Sequence, residues 1–216
     1  MKSLRDYNSK EWDRRSPDRK KLYKLKHRYK IALKRISEAQ PDKWLDVGAG
    51  NGYLAEVVKG SFPSIHATGV DFVDTALKEA TSLDDSKVVN FDEENLPFDD
   101  NSFDFVTCLE VIEHLILREH ALEELYRVVK PGGRVLISVP NLQFIEYLLA
   151  LTRGKMPHPA ADPRHMSIFT IRFLKEQMVK AGFNVGFTAG CDASPPGLAY
   201  ISKKYLCKTI LVEGEK

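Results

Sequence analysis

Leu45-Asp46-Val47-Gly48-Ala49-Gly50-Asn51-Gly52 is a short apolar run that breaks into glycines at every second position. The preceding Lys43–Val47 reads as a strand. From Gly52 to Lys59 the residues Leu54, Val57 and Val58 mark one face of a helix, so the glycines lie in a tight strand-to-helix turn. Glycine lets the chain turn sharply there and lets a ligand approach the main chain with no Cβ in the way. The N–H groups of the helix start face the same space. Dinucleotide-binding domains and merely tight turns also carry glycine-rich loops. Here the spacing is GxGxG, not GxGxxG, and Asp46 stands two residues before the first glycine.

Outward from this turn, strands and helices alternate. His66–Val70 reads as a second strand, Lys87–Phe91 as a third, Phe103–Cys108 as a fourth, Arg134–Val139 as a fifth and Phe183–Thr188 as a sixth. Thr209–Val212 reads as a last strand. Helices are expected at 74–82, 119–129, 142–151 and 170–180, with Gly60 ending the first one after the glycine turn and Thr170 capping the last. Pro131-Gly132-Gly133 reads as a turn. Residues 153–167, with three prolines, read as a surface excursion, and Pro195-Pro196-Gly197 as a break. Strands separated by single helices predict an α/β fold with a doubly wound, Rossmann-like, mostly parallel sheet covered on both faces.

Asp71 closes the second strand nineteen residues after Gly52, and Asp92 and Glu93 follow the third. With Asp46, these place carboxylates just past the carboxyl ends of three separate strands, where an open α/β sheet binds a nucleoside. Asp46 suits a cationic ammonium, Asp71 two ribose hydroxyls, and Asp92 and Glu93 an adenine amine. Singly, each is as easily a surface acid.

Together, LDVGAGNG (45–52), GVDF (69–72), FDEENLPFDDNSFDFV (91–106), EVIEHL (110–115), LYRVVKPGG (125–133) and RVLISVPN (134–141) resemble the class I S-adenosylmethionine-dependent methyltransferases over residues 41–190. The small soluble members similar to ubiquinone- and menaquinone-pathway enzymes are the nearest in pattern. The resemblance implies seven strands with the last antiparallel. It places the methionine end of S-adenosylmethionine at Asp46, Gly48, Ala49 and Gly50, the ribose at Asp71 and the adenine at Phe72, Asp92 and Glu93.

Glu110, Glu113 and His114 follow the fourth strand at i, i+3 and i+4, which in a helical turn is one face. Two carboxylates and an imidazole suit Mg²⁺, Mn²⁺ or Zn²⁺. The ExxEH element resembles the metal site of RNA 3′-terminal 2′-O-methyltransferases and of ubiquinone-pathway O-methyltransferases. Both use a further histidine, for which His165 is the candidate. Without a metal, the acids cap the helix or touch the cofactor, and His114 or His165 remains available as a catalytic general base. No Asn/Asp-Pro-Pro-aromatic element and no Pro-Cys pair occurs, which disfavours exocyclic-amine and C5-pyrimidine methylation.

The first 40 residues carry fourteen basic and five acidic side chains, on a body richer in acids. Leu22, Leu25, Tyr29, Leu33 and Ile36 stripe a helix over 18–39. Residues 1–40 are therefore expected to form a basic arm and helical lid, and 41–216 the cofactor-binding domain, with 141–169 as a substrate-side excursion. The basic arm leaves RNA open as a partner, against a small-molecule acceptor as the first expectation. A non-catalytic cofactor-binding subunit and a nicotinamide dehydrogenase are the rivals from other classes. No apolar run reaches the length of a membrane span. Three cysteines without CxxC spacing and no secretory signal fit a cytoplasmic protein. The favoured reaction is O-methylation of a small molecule by direct displacement.

Overall fold

The computed structural model describes residues 27–193 and 202–216. Seven strands form one sheet in the order β3-β2-β1-β4-β5-β7-β6. They are β1 Lys43–Val47, β2 His66–Asp71, β3 Asp85–Val88, β4 Phe103–Leu109, β5 Val129–Pro140, β6 Asn184–Ala193 and β7 Cys207–Glu215. β1 to β5 run parallel, and β7 is antiparallel to both β5 and β6. The seven-stranded α/β expectation with its antiparallel last strand therefore holds. The order reverses between β1 and β4, which opens a crevice at their carboxyl ends.

Alternation along β1 sets the two faces. Leu45 and Val47 join the core cluster beneath α4 (Arg118–Val128) and α7 (Ile171–Lys180). Trp44 points the other way, into the cluster containing α1 (His27–Ala39) and α2 (Tyr53–Ser61). Ala32 and Ile36 of α1 are fully buried in that second cluster. Arg35 of α1 clasps the buried Glu213 of β7 through Nε at 2.8 Å and Nη2 at 2.6 Å. The described part of the N-terminal helix is thus built into one face of the core, while residues 18–26 of the expected helix lie outside the described residues.

Several boundaries differ from the pattern. Gly60 does not end α2, which runs to Ser61 and closes with the Phe62 N–H on Val58 O. The helix expected at 74–82 shortens to α3 (Asp74–Leu77). β3 starts two residues early and is exposed along its length, because it is a sheet edge, while the apolar Val89 and Phe91 that suggested the strand are buried just beyond it. Pro131–Gly133 bulges out of a continuous β5, where pairing with β4 jumps from Phe103–Val129 to Phe105–Arg134. α5 spans Ile145–Thr152, and the proline-rich excursion contains α6 (His158–Ala161). Thr170 caps α7 as expected, its Oγ1 accepting the Phe173 N–H at 3.1 Å. α8 (Lys203–Leu206) leads into β7. Pro195–Gly197 lies outside the described residues. Cys108, Cys191 and Cys207 are free and buried. No helix among the described residues is long and apolar enough to cross a membrane.

Candidate functional site

The glycine turn opens on the crevice. Gly48, Gly50 and Gly52 have φ of 77°, 55° and 72°, in the left-handed region. At Gly48 a Cβ would stand 2.3 Å from Val111 Cγ2, so the glycine is required by the protein's own packing as well as by its turn. The Gly48 and Ala49 N–H groups bond to Val70 O at 2.8 and 3.0 Å. The Gly50 N–H bonds to Asp71 Oδ2 at 2.9 Å, and the Val73 N–H to Asp71 Oδ1 at 2.9 Å. The N–H groups of Gly48, Ala49 and Gly50 are therefore satisfied internally and do not stand free for a ligand. Their effect is to fix the Asp71 carboxylate at the crevice. Burial holds its pKa above the usual carboxylate value, against the backbone N–H groups, which lower it.

Asp46 is almost fully buried, and its Oδ1 accepts a hydrogen bond of 2.6 Å from Thr107 Oγ1. Thr107 Oγ1 in turn accepts the Trp44 indole N–H at 2.9 Å. Burial pushes the Asp46 carboxyl up to about 7, against the Thr107 bond and with help from Asp71. Asp46, Gly48, Ala49 and Gly50 line a pocket of about 90 Å³ with Tyr29 and Tyr53. Gly48 and Leu109 also border the main cleft, of about 350 Å³, which Asp71, Phe72 and Asp92 line. Glu93 is exposed and not part of that lining: its Oε2 accepts from Asn90 Nδ2 at 2.9 Å, and Asn90 faces the cleft instead. Asp92 Oδ1 is committed to the Ile116 and Leu117 N–H groups, at 2.7 and 2.8 Å, just before α4.

The ExxEH element is not one helical face. Glu110 has φ of 58°, and only Ile112–His114 form a single 3₁₀ turn after it. Glu110 is thereby turned to the cleft, where Ser138 Oγ donates to its Oε1 at 2.9 Å. Glu113 is turned inward, 1% exposed, and its Oε2 has no hydrogen-bond partner. Burial, then the charge of Glu110, hold its carboxyl well above the usual range. His114 lines the cleft. His165 packs against it, ring centroids 4.9 Å apart, and is not in the cleft lining. Ligand atoms of Glu113, His114 and His165 lie within 4.8 Å of one another. The structure thus brings together three of the four expected metal ligands, and leaves Glu110 out of the group because of its left-handed backbone.

Both imidazoles are held by carbonyls. His114 Nδ1 contacts Arg164 O at 3.0 Å, and His165 Nδ1 contacts Pro159 O at 2.8 Å. A carbonyl can only accept, so each Nδ1 carries a proton, which leaves Nε2 as the nitrogen that can offer a lone pair. Burial lowers the His114 pKa.

Two arginines complete the cleft, and no sequence pattern announced either. Arg28 comes from the first turn of α1, and its buried Nε has no partner. Arg164 comes from the excursion, paired with Asp162. The excursion is docked by the Met166 and Ser167 N–H groups, which donate to Glu113 O at 2.8 and 3.1 Å.

A family described as a methyltransferase domain matches residues 21–186. A ubiquinone/menaquinone biosynthesis C-methyltransferase of Geotalea daltonii is 33% identical over 130 residues, which are 55% of each chain. A demethylmenaquinone methyltransferase of Staphylococcus aureus strain JH9 is 37% identical over 134 residues, 56% of this chain and 54% of that one. The chain spans about half the length of these curated relatives. A crystal structure of a SAM-dependent methyltransferase from Thermotoga maritima shares the fold, with a TM-score of 0.63 at 20% identity over 92% of this chain and 95% of that one.

Proposed function

The chain belongs to the methyltransferase domain family, and we propose on that premise that it moves the methyl group of S-adenosylmethionine to an oxygen of a small molecule by direct in-line displacement. In this reading the adenosine occupies the main cleft, with Asp71 receiving the ribose hydroxyls on lone pairs its two backbone bonds leave open. The adenine lies by Phe72, Asn90 and Asp92. The methionine end enters the smaller pocket, where Asp46 meets the ammonium, and the guanidinium of Arg28 at the edge of the main cleft is the cation for the carboxylate. Glu93 has no part in it.

The observation that carries the acceptor chemistry is His114. It is a neutral imidazole at the cleft, oriented by the Arg164 carbonyl, with its lone pair on the other nitrogen. Such a group takes the hydroxyl proton as the oxygen attacks, and alignment of the two reactants supplies most of the rate. His165 acts by packing behind it. The same proton removal would serve a carbon acceptor activated by a neighbouring hydroxyl, and the Geotalea relative is named as a C-methyltransferase.

A divalent cation is the second reading, favoured by the orphaned Glu113 Oε2. One carboxylate oxygen and two imidazole Nε2 atoms fit zinc or manganese, and the two Nδ1-to-carbonyl bonds are the outer support such ligands use. When bound, the cation would acidify an acceptor hydroxyl. Glu113, His114 and His165 would hold it.

Incubation with methyl-labelled S-adenosylmethionine and a metabolite extract or total RNA, followed by mass spectrometry of the labelled product, tests the reading. A labelled methyl ether of a small molecule is expected. Label in a ribose 2′-oxygen would replace the acceptor class with RNA, and cofactor binding without any product would leave a non-catalytic binding subunit.

A further inference from the structure

The excursion carries a helix that water should not tolerate. α5, Ile145–Thr152, reads IEYLLALT, and none of its eight residues is buried. Ile145, Leu149 and Leu151 are exposed, as is Met156 just beyond at 65%. A helix that is apolar on nearly every side is normally covered. Phe144, fully buried, anchors its start and packs edge-on against Tyr147 at 5.0 Å, so the helix is held in place with its remaining surface outward.

The rim of this surface is basic. Arg153 and Lys155 follow the helix and are exposed. Lys208 reaches its first turn, 4.0 Å from Glu146 and over the Phe144 ring at 5.3 Å. Lys204 and the exposed Tyr205 are adjacent in α8, which Asn141 ties to the base of the excursion through Lys204 O. Glu146 is the sole acid among residues 141–161, and Lys208 faces it.

We propose that Ile145–Met156 is a docking element for anionic bilayers, lying in the headgroup region with Ile145 and Leu149, which share one face at i and i+4, and Met156 inserted, and with Arg153, Lys155, Lys204 and Lys208 on lipid phosphates. An apolar face edged by cations is the pattern of an interfacial helix. A second copy is disfavoured, because two such rims would repel. The contact is peripheral, and it stands whatever acceptor the cleft takes.

Sedimentation with phosphatidylcholine vesicles, with and without phosphatidylglycerol, tests it on the full chain. Binding to the mixed vesicles, weakening with added salt, is expected, with little binding to phosphatidylcholine alone. The double variant Ile145→Glu, Leu149→Glu should lose more than about tenfold in partitioning. Arg153→Gln or Lys155→Gln should each lose about fivefold. Cofactor affinity by calorimetry should be unchanged in all of them, which reports that they are folded. No sedimentation of the parent with mixed vesicles overturns the proposal. So does a double variant that binds like the parent, since the basic first 40 residues would then be the lipid contact. Light scattering that shows a parental dimer made monomeric by the double variant, without vesicle binding, would assign the patch to a second copy.

Discussion

Asp71 receives the backbone N–H of Gly50 at 2.9 Å, so the residue that closes the second strand is locked to the turn that follows the first. Asp71→Ala should therefore weaken S-adenosylmethionine binding on the order of 2–4 kcal/mol, by removing charge-assisted bonds to the ribose and releasing the turn. Calorimetry on the folded variant checks this, and an affinity equal to the parent's would remove Asp71 from the site.

Gly48→Ala tests the other half of that turn. The new Cβ would meet Val111 at 2.3 Å on a backbone with φ of 77°. A loss of about 1–3 kcal/mol in stability is expected, together with a displaced Val111 at the cleft. Denaturant unfolding reads the first and cofactor affinity the second.

Asp46 makes cofactor binding depend on pH near neutrality. Its carboxyl is raised to about 7 in the free protein, and only the ionised form attracts the ammonium. Affinity should fall as pH drops below 7, and binding at neutral pH should release protons. Calorimetry in buffers of different ionisation enthalpy measures that release. The sign for folding is opposite. A carboxyl with a raised folded pKa favours the folded state at low pH, and that contribution is lost as pH rises from the ordinary 3.8 towards 7. Asp46→Asn should flatten both dependences.

His114→Gln should lower kcat by about a hundredfold or more and leave cofactor affinity nearly unchanged, as for a lost general base. Calorimetric titration of the protein with Zn²⁺ or Mn²⁺ separates the two readings of the histidine pair. One tight site that disappears in Glu113→Gln and in His165→Ala would establish the cation. Absence of heat in the parent would leave His114 as a base alone.

Deleting residues 1–38 should cost stability as well as substrate access. It uncovers the buried surface under Ile36 and takes Arg35 from the buried Glu213 of β7, which keeps only Arg134 at 3.9 Å, so the loss should approach that of a broken buried pair, about 3–5 kcal/mol. A lid laid over a finished domain would leave the melting temperature unchanged, and thermal unfolding distinguishes the two.

What could be read from the chain was what neighbours in sequence determine. The glycine turn and the strands that carry Asp46 and Asp71 are set by short local patterns, and the turn, β1 and β2 lie where those patterns put them. Thr170 as a cap is equally local. Glu110 misled because helical spacing was assumed where the backbone takes one left-handed residue and a 3₁₀ turn. Glu93 lies outside the cleft lining, where Asn90 stands instead, because the chain bends after β3. Arg28 and Arg164 reach the cleft from elements remote in sequence, and nothing in the residues beside them records that meeting. β3 was placed late because an edge strand needs no apolar alternation.

The sheet's order has a consequence for how the protein comes into being on the ribosome. β7 is the latest strand to leave the exit tunnel, yet it is laid between β5 and β6 and hydrogen-bonds to both. Until residues 207–215 emerge, β5 and β6 each keep an open edge, and Arg35 has Glu38 but not the buried Glu213. The nascent chain thus waits with two unsatisfied ladders, the condition in which strands pair with the wrong neighbour. A chain truncated after residue 206 should therefore be a species that chaperones hold and proteases cut, where the chain that includes β7 is resistant.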